Sequence, residues 1–295
     1  MTSVQDGLST APLAIRREHL RQILAGSDCV YPGSVFDPVS ARIAEDLGFE
    51  LGMFAGSVAS LTVLGAPDLI VLTLTEFAEQ ARRICRAGSL PLLCDADHGY
   101  GNALNVARCV EELERAGVSG LSIEDTGLPP VFGTQGKPGL LSIDEGVGKM
   151  RAALAARGDS GLVIAGRTGA AGISGIDDAI ARANAYVDAG VDAIFLTGVK
   201  QRDDLERIAS AVRAPLILGG AGKALRDKAW LGSIGVRICL QGHQPFMAAV
   251  QAVHDTLSAL RNGTDPEQLQ GVAPAELMQR VMRNEDYQRR MKDWL

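Results

Sequence analysis

The chain has 295 residues, of which 46% are hydrophobic and 22% charged, a balance typical of a folded globular protein and not of a disordered one. A formal net charge of −6 without a basic block argues against a nucleic-acid partner, which needs clustered Lys and Arg. No apolar run approaches the ~20 residues that cross a bilayer, and the first residues lack the pattern of a secretory signal. We therefore expect a cytoplasmic protein that binds neither membranes nor nucleic acids.

Eight short apolar segments recur along the chain and predict eight buried strands. Four of them follow a glycine that ends the preceding helix in a left-handed conformation, and two begin after a proline, which tolerates the start of a strand. Amphipathic stretches at 102–116 and 176–189 predict helices between strands. The predicted strands are centred on 29–31, 51–53, 92–93, 120–121, 162–164, 193–194, 216–217 and 236–238.

This alternation of strand and helix predicts a (β/α)₈ barrel of the TIM type, since an open doubly wound sheet seldom needs eight evenly spaced units. No linker or shift in composition divides the chain, so we expect one domain over 1–295, with its core at about 14–262. The segment 266–295 predicts extra helices beyond the barrel, and such helices pack against the barrel or against another subunit.

Acidic side chains follow two neighbouring predicted strands, at the barrel face where catalytic residues lie. Asp95 and Asp97 are two residues apart, so on an extended strand they point the same way, and Glu124 on the next strand would join them. Three carboxylates repel one another, and an oxygen-only set favours Mg²⁺ or Mn²⁺ over Zn²⁺. In the alternative interpretation Asp97 caps the following helix, and Glu124 or Asp125 pairs with a lysine.

Three further strand ends carry candidate binding groups. Arg167 offers a fork for a carboxylate or phosphate, although an arginine there is as often part of a structural ion pair. His243 can donate to a substrate or satisfy a loop carbonyl. The glycine-rich run at 219–222 can present backbone amides to a phosphate or simply form a tight turn.

Several motifs together resemble the isocitrate lyase/phosphoenolpyruvate mutase superfamily over about residues 14–262. The most specific is Asp-x-Asp-x-Gly-Tyr-Gly with a downstream Ile-Glu-Asp. The matching segments are SVFDPVSAR at 34–42, GS at 56–57, GAPD at 65–68, LTLTE at 72–76, DADHGYGN at 95–102, IED at 123–125 and RT at 167–168.

The resemblance implies a barrel whose last helix is exchanged between the subunits of a homotetramer. It also implies a Mg²⁺ ion, or Mn²⁺ in its place, held directly by Asp95. Asp97, Glu124 and Asp68 would act on this ion through bound water.

For the substrate, the resemblance implies that Ser57 and the amides around Gly56 hold the carboxylate of an α-keto acid. Arg167 would pair with a substrate carboxylate, His243 would contact the substrate, and Phe36 would form a wall of the site. Asp95, Arg167 and His243 are the expected catalytic residues.

Within the superfamily, His98 together with Gly242–His243 most resembles the oxaloacetate decarboxylase branch, which implies release of CO₂ and pyruvate through a metal-stabilised enolate. Gly169 and the glycine-rich run at 219–222 depart from the usual pattern. One alternative is therefore another carbon–carbon or phosphorus–carbon lyase, hydrolase or mutase, acting on phosphonopyruvate or a 2-methylmalate-type substrate. A non-catalytic relic that binds dicarboxylates is an alternative of another class.

The connection at 126–141 after the fourth predicted strand bears on both substrate and dynamics. Isocitrate-cleaving members carry a Lys-Lys/Arg-Cys-Gly-His segment there, whereas this loop contains Lys137 but neither Cys nor His. We therefore expect no cleavage of isocitrate or 2-methylisocitrate. The loop is also long and rich in glycine and proline, and Pro138 is one of these residues. This length and composition predict a lid over the barrel mouth or, alternatively, a subunit contact.

Overall fold

A computed structural model of the protein describes residues 10–130, 132–137 and 139–295. In this part of the chain eight parallel strands follow one another in a single sheet, each paired with the next along the sequence. A parallel bridge between Val30 and Ile238 joins the first strand region to the last strand and closes the predicted (β/α)₈ barrel. The strands are β1 Gly33–Ser34, β2 Gly52–Ala55, β3 Leu92–Asp95, β4 Gly120–Glu124, β5 Val163–Thr168, β6 Ala193–Leu196, β7 Leu216–Leu218 and β8 Val236–Cys239.

Helices surround the sheet and continue beyond it. The predicted helix at 176–189 has the predicted bounds, and the one at 102–116 begins one residue later because Asn102 is its N-cap. Helices also form beyond the barrel after residue 266, as predicted. The α-helices are α1 Leu13–Ala25, α2 Pro38–Asp46, α3 Gly56–Ala59, α4 Leu74–Cys85, α5 Ala103–Ala116, α6 Ile143–Ala156, α7 Ala170–Ile173, α8 Ile176–Ala189, α9 Arg202–Ala211, α10 Lys228–Ser233, α11 Gln244–Arg261, α12 Ala275–Met282 and α13 Asn284–Trp294.

The local signals for strand and helix ends are confirmed in all but one place. The glycines predicted to end helices have positive φ angles, and β3 and β7 each begin directly after a proline. The first strand is the exception: it was predicted at 29–31, but β1 is Gly33–Ser34. Pro32 lacks an N–H group and interrupts the ladder, so Val30 forms only the isolated bridge. The glycines are Gly48, Gly117, Gly190 and Gly235.

The core has two layers. Inward-facing strand residues such as Met53, Leu93 and Phe195 fill the barrel together with Leu20 and Leu24 of α1, which closes its amino-terminal end. A second apolar layer lies between the strands and the outer helices. Because α1 closes one end of the barrel, the barrel interior can open to solvent only at the carboxyl ends of the strands.

In the part of the chain that the structure describes, no helix combines the length and apolar character needed to span a bilayer.

Candidate active site

A pocket of about 310 Å³ opens at the carboxyl ends of the strands. Residues from strands or loops at β2, β3, β5, β6, β7 and β8 contribute to its lining. The structure thus brings together side chains that are distant in sequence. The lining residues that were named from the sequence are Ser57, Asp68, Asp95, Asp97, Arg167, Gly219, Gly220, Gly242 and His243.

Asp95 is the last residue of β3 and lies buried at the floor of the pocket. Its Oδ1 atom accepts a hydrogen bond of 2.9 Å from the Ser122 hydroxyl on the neighbouring strand β4. Its Oδ2 atom accepts a charge-assisted hydrogen bond from Nη1 of Arg167 on β5. Two neighbouring strands therefore fix the orientation of this carboxylate.

The sequence predicted Asp97 on an extended strand, but the structure places it in a turn after the strand. The strand ends at Asp95, and Asp97 follows in the left-handed region with φ 48°, as does Tyr100 with φ 62°. Such a conformation costs a non-glycine residue about 1–3 kcal/mol and persists only where its surroundings impose it. The alternative role as a helix cap is wrong, because Asn102 caps α5.

Arg167 lies between two of the acidic side chains. Besides its contact with Asp95, its Nε atom lies 3.1 Å from Oε2 of Glu124, and its guanidinium stacks 5.4 Å from the centre of the Phe195 ring. Glu124 therefore pairs with an arginine and not with a lysine. Asp125 also pairs with an arginine, Arg182.

Asp125 points away from the pocket into a buried network. It accepts hydrogen bonds from the Tyr186 hydroxyl at 2.6 Å and from Nη1 of Arg182 at 3.1 Å. Arg182 also donates to the carbonyl of Leu141 at 2.8 Å. This network anchors the end of the 126–141 loop to α8.

The site contains more carboxyl groups than cations. Burial raises the pKa of Glu124 to about 7, although Arg167 acts in the opposite direction. Burial, reinforced by Asp95, Glu124 and Asp68, raises the pKa of Asp97 well above its ordinary value. The pKa of Asp68 at the pocket rim is also raised, by partial burial and then by Asp95. Four carboxyl groups thus share a single guanidinium, and a cation would relieve their repulsion.

The donor set fits a hydrated divalent cation. The acidic side chains at this site offer carboxylate oxygens, which hard cations such as Mg²⁺ prefer. Among residues 10–130, 132–137 and 139–295, no three His, Cys, Asp or Glu side chains lie close enough together to enclose a metal ion.

His243 lies between two serine hydroxyls at the pocket wall. Its Nδ1 atom is 3.0 Å from Oγ of Ser34, and its Nε2 atom is 3.1 Å from Oγ of Ser57. Burial lowers the pKa of His243 below 6.5, while Asp95 and Asp68 oppose this effect. The ring is therefore mainly neutral at pH 7, with one nitrogen donating and the other accepting.

Three of the predicted metal- or substrate-binding residues do not line the pocket. Phe36 lines a neighbouring groove, where its ring packs 5.2 Å from that of Phe246. Gly56 lies behind Asp97, and Glu124 reaches the site through Arg167. Their assigned roles stay predictions. His98 is buried away from the pocket, and burial together with Lys149 lowers its pKa to about 4.

Several residues that the structure places in the site have no predicted role. Ser34 and Ser122 orient His243 and Asp95, and Phe195 supports Arg167. Thr197 lines the pocket after β6. A search for inward-facing residues near strand ends would have found them, but they stand in apolar surroundings without a charged neighbour to mark them.

Both ends of the 126–141 loop are attached to the barrel. Thr126 and Leu140 form an antiparallel bridge, and the amide of Leu141 donates to the carbonyl of Asp125 at 2.8 Å. Phe132 is fully exposed within the loop. Val131 and Pro138, the latter part of the predicted lid, lie outside the described residues. Movement of the loop as a lid stays a prediction.

An eight-stranded barrel with an acidic pocket at the carboxyl ends of its strands defines the class of this protein. Residues 20–261 match the phosphoenolpyruvate phosphomutase family, and the chain belongs to that family. Over 281 residues the chain is 59% identical to an oxaloacetate decarboxylase of Bradyrhizobium sp. (strain ORS 278), covering 95% of this chain and 97% of the relative.

Solved structures agree with this assignment. Oxaloacetate acetylhydrolase in complex with 3,3-difluorooxalacetate is similar with a TM-score of 0.84 and 27% identity, covering 96% of this chain and 98% of that chain. A phosphonopyruvate hydrolase in complex with oxalate and Mg²⁺ is similar with a TM-score of 0.80 and 27% identity, covering 95% and 99% of the two chains. The predicted superfamily is therefore confirmed.

Proposed function

We propose that this protein is a Mg²⁺-dependent decarboxylase that converts oxaloacetate to pyruvate and CO₂. The observation that carries the proposal is the pocket of about 310 Å³, which combines an acidic cluster, one guanidinium and a neutral imidazole. The relative with 59% identity bears the name oxaloacetate decarboxylase and matches nearly the whole chain. The pocket has room for a small dicarboxylate α-keto acid, and a bound divalent cation together with Arg167 would offset the substrate's negative charge.

In the proposed site Asp95 is the direct protein ligand of Mg²⁺, and Asp97, Glu124 and Asp68 hold its water ligands. The hydroxyl of Ser122 fixes one oxygen of Asp95, as hydrogen-bonding partners of metal ligands commonly do. Mn²⁺ suits the same oxygen donors. When bound, the ion supplies a positive charge that polarises the C2 carbonyl of the substrate.

The proposed reaction breaks the C3–C4 bond of oxaloacetate. The electron pair moves toward the C2 carbonyl oxygen, C4 leaves as CO₂, and a proton adds to C3 to give pyruvate. The protein needs no base strong enough to remove a proton from carbon, because departure of CO₂ generates the carbanion itself. Its residues instead bind and orient the two carboxylates.

We assign substrate recognition to the residues around the acidic cluster. Arg167 supplies the positive charge for a substrate carboxylate, held in place by Glu124 and the Phe195 ring. His243, whose two ring nitrogens lie beside the hydroxyls of Ser34 and Ser57, contacts the substrate. Ser57 and the amides around Gly56 bind the α-keto acid carboxylate, and Phe36 closes the side toward the neighbouring groove.

The direct test is pyruvate formation from oxaloacetate with and without Mg²⁺, corrected for spontaneous decarboxylation. Enzyme-dependent pyruvate release that excess chelator abolishes supports the proposal. Turnover of phosphonopyruvate or a 2-methylmalate-type substrate, without turnover of oxaloacetate, would replace it with another reaction of the superfamily. Oxalate binding without turnover of any of these substrates would indicate a dicarboxylate-binding relic.

Metal titration of single variants tests the assigned ligands. Asp95→Asn should weaken apparent Mg²⁺ affinity most, and raised Mg²⁺ should partly restore its activity. Asp97→Asn and Glu124→Gln should lose activity with a smaller change in affinity, because they position water ligands. Normal turnover and metal affinity in Asp95→Asn would refute its assignment as the direct ligand.

We also propose a homotetramer in which α11 packs on a neighbouring subunit. No residue of α11 is buried in the single chain, although it presents Met247, Val250, Val253 and Leu257. An apolar groove of about 790 Å³ lies beside α2, where the helix after β8 would cover the barrel. An exposed apolar face beside an uncovered groove supports exchange of this helix.

Sedimentation of the double variant Val250→Asp, Val253→Asp tests the assembly. Two charges on the buried face of an exchanged helix should convert a tetramer into smaller species. A wild-type protein that sediments as a monomer would refute this part of the proposal without affecting the proposed reaction.

A further inference from the structure

Lys149 is a buried cation that the mechanism above does not use. It lies on α6, its side chain is almost entirely buried, and it does not line the pocket. Its Nζ atom donates a hydrogen bond of 2.8 Å to the backbone carbonyl of His98. Lysine is rarely buried unless a partner compensates the cost of removing its charge from water.

The carbonyl that Lys149 binds belongs to the strained turn that carries Asp97. Asp97 and Tyr100 on either side of it both have left-handed backbone conformations. Main-chain bonds also hold the turn, including one of 2.8 Å from the Glu124 amide to the carbonyl of Asp97. Lys149, on a helix outside the barrel strands, adds a hydrogen bond from a charged side chain to the residue next to Asp97.

The charge of Lys149 also bears on the acidic cluster. Burial lowers the pKa of Lys149 below its ordinary value, and the carboxylates of Glu145, Glu124 and Asp125 oppose this effect without reversing it. Its ammonium group binds the turn at the carbonyl of His98, whereas Arg167 contacts Asp95 and Glu124.

We infer that Lys149 is a positioning residue for the metal-binding pocket, which holds the turn after β3 so that the Asp97 carboxylate faces Asp95. The inference rests on the proposed function for the presence of a divalent cation. A lysine with a purely structural role would contribute to stability without affecting metal binding, and this difference makes the two roles separable by experiment.

The experiment compares Lys149→Met with Lys149→Arg, which keeps the charge and the donor, and with Arg16→Met as a matched control. Arg16 is likewise a buried cation that donates to a backbone carbonyl, that of Cys85 at 2.8 Å, but it lies on α1 at the opposite end of the barrel. Mn²⁺ affinity is measured by titration calorimetry, beside thermal unfolding and oxaloacetate turnover.

Lys149→Met should weaken Mn²⁺ binding by about 10- to 100-fold, as loss of a residue that supports metal ligands commonly does. Lys149→Arg should recover part of this loss, and Arg16→Met should lower stability with Mn²⁺ affinity unchanged. A folded Lys149→Met protein with wild-type Mn²⁺ affinity would overturn the inference. If that variant does not fold, Lys149→Gln replaces it, and wild-type Mn²⁺ affinity in the folded Gln variant is then the overturning result.

Different experimental results would refute the role of Lys149 and the proposed function. Wild-type protein that binds Mn²⁺ but releases no pyruvate would refute the decarboxylase proposal, while the affinities of the Lys149 variants would still decide the role of Lys149. Wild-type protein that binds no Mn²⁺ would overturn both.

Discussion

Gly56 allows the Asp97 carboxylate to approach the end of β2, and replacing it with alanine should misplace that carboxylate. A Cβ atom at Gly56 would lie 2.3 Å from Oδ2 of Asp97 and 2.8 Å from its Cγ and Oδ1 atoms. The backbone of Gly56 is not left-handed, so alanine can adopt its conformation. Gly56 also begins α3, where alanine suits the backbone better than glycine. The change therefore acts on Asp97 and not on the fold.

The size of the effect follows from the clash. Atoms that come to 2.3 Å must separate by about 1 Å to reach van der Waals contact, and a misplacement of 1 Å can cost about 100-fold in rate. We expect kcat/KM for oxaloacetate to fall by about 100-fold at saturating Mg²⁺, while the free energy of unfolding changes by less than about 1 kcal/mol. Pyruvate release and urea unfolding measure the two quantities.

Gly148→Ala is the matched control, because Gly148 lies within α6 and a Cβ atom there meets nothing within 4 Å. It should keep wild-type turnover and gain about 0.5–1 kcal/mol of stability. If Gly56→Ala retains wild-type kcat/KM, the position of the Asp97 carboxylate does not matter for turnover, and its role in holding metal-bound water is refuted.

Four further predictions concern the same site. Arg167→Ala should weaken oxaloacetate binding strongly, whereas His243→Ala should cause a smaller loss, in turnover, because a bound metal would supply most of the enolate stabilisation; equal losses of kcat/KM in both variants would contradict this ranking. Because the pKa of Asp97 is raised in the folded state, its contribution to stability is lost as the pH rises above its ordinary value of 3.8. Thermal unfolding without metal should therefore show Asp97→Asn to be more stable than wild type at pH 8, with a smaller difference at pH 5; an equal difference at both values would argue against this electrostatic cause. Hydrogen exchange at 126–141 should slow when oxalate and Mg²⁺ are added, and unchanged exchange would count against a lid. Isocitrate should give no glyoxylate, and release at enzymatic rates would require an acid that this loop does not contain.

The sequence by itself determined the elements of the fold and the chemistry of the pocket. Glycine and proline act locally through their backbone conformations, so they marked helix and strand ends without knowledge of the tertiary structure. Asp95, Glu124 and Arg167 were also visible, because polar residues that end an apolar strand must lie at one face of a parallel barrel.

The tertiary structure decided which of these side chains meet. Ser34 and His243 are 209 residues apart, and Lys149 and His98 are 51 apart, so no local pattern could pair them. The left-handed turn at Asp97 likewise persists because neighbouring elements impose it against its own preference. These contacts depend on the register of adjacent strands and on closure of the barrel, which bring distant residues to within hydrogen-bonding distance.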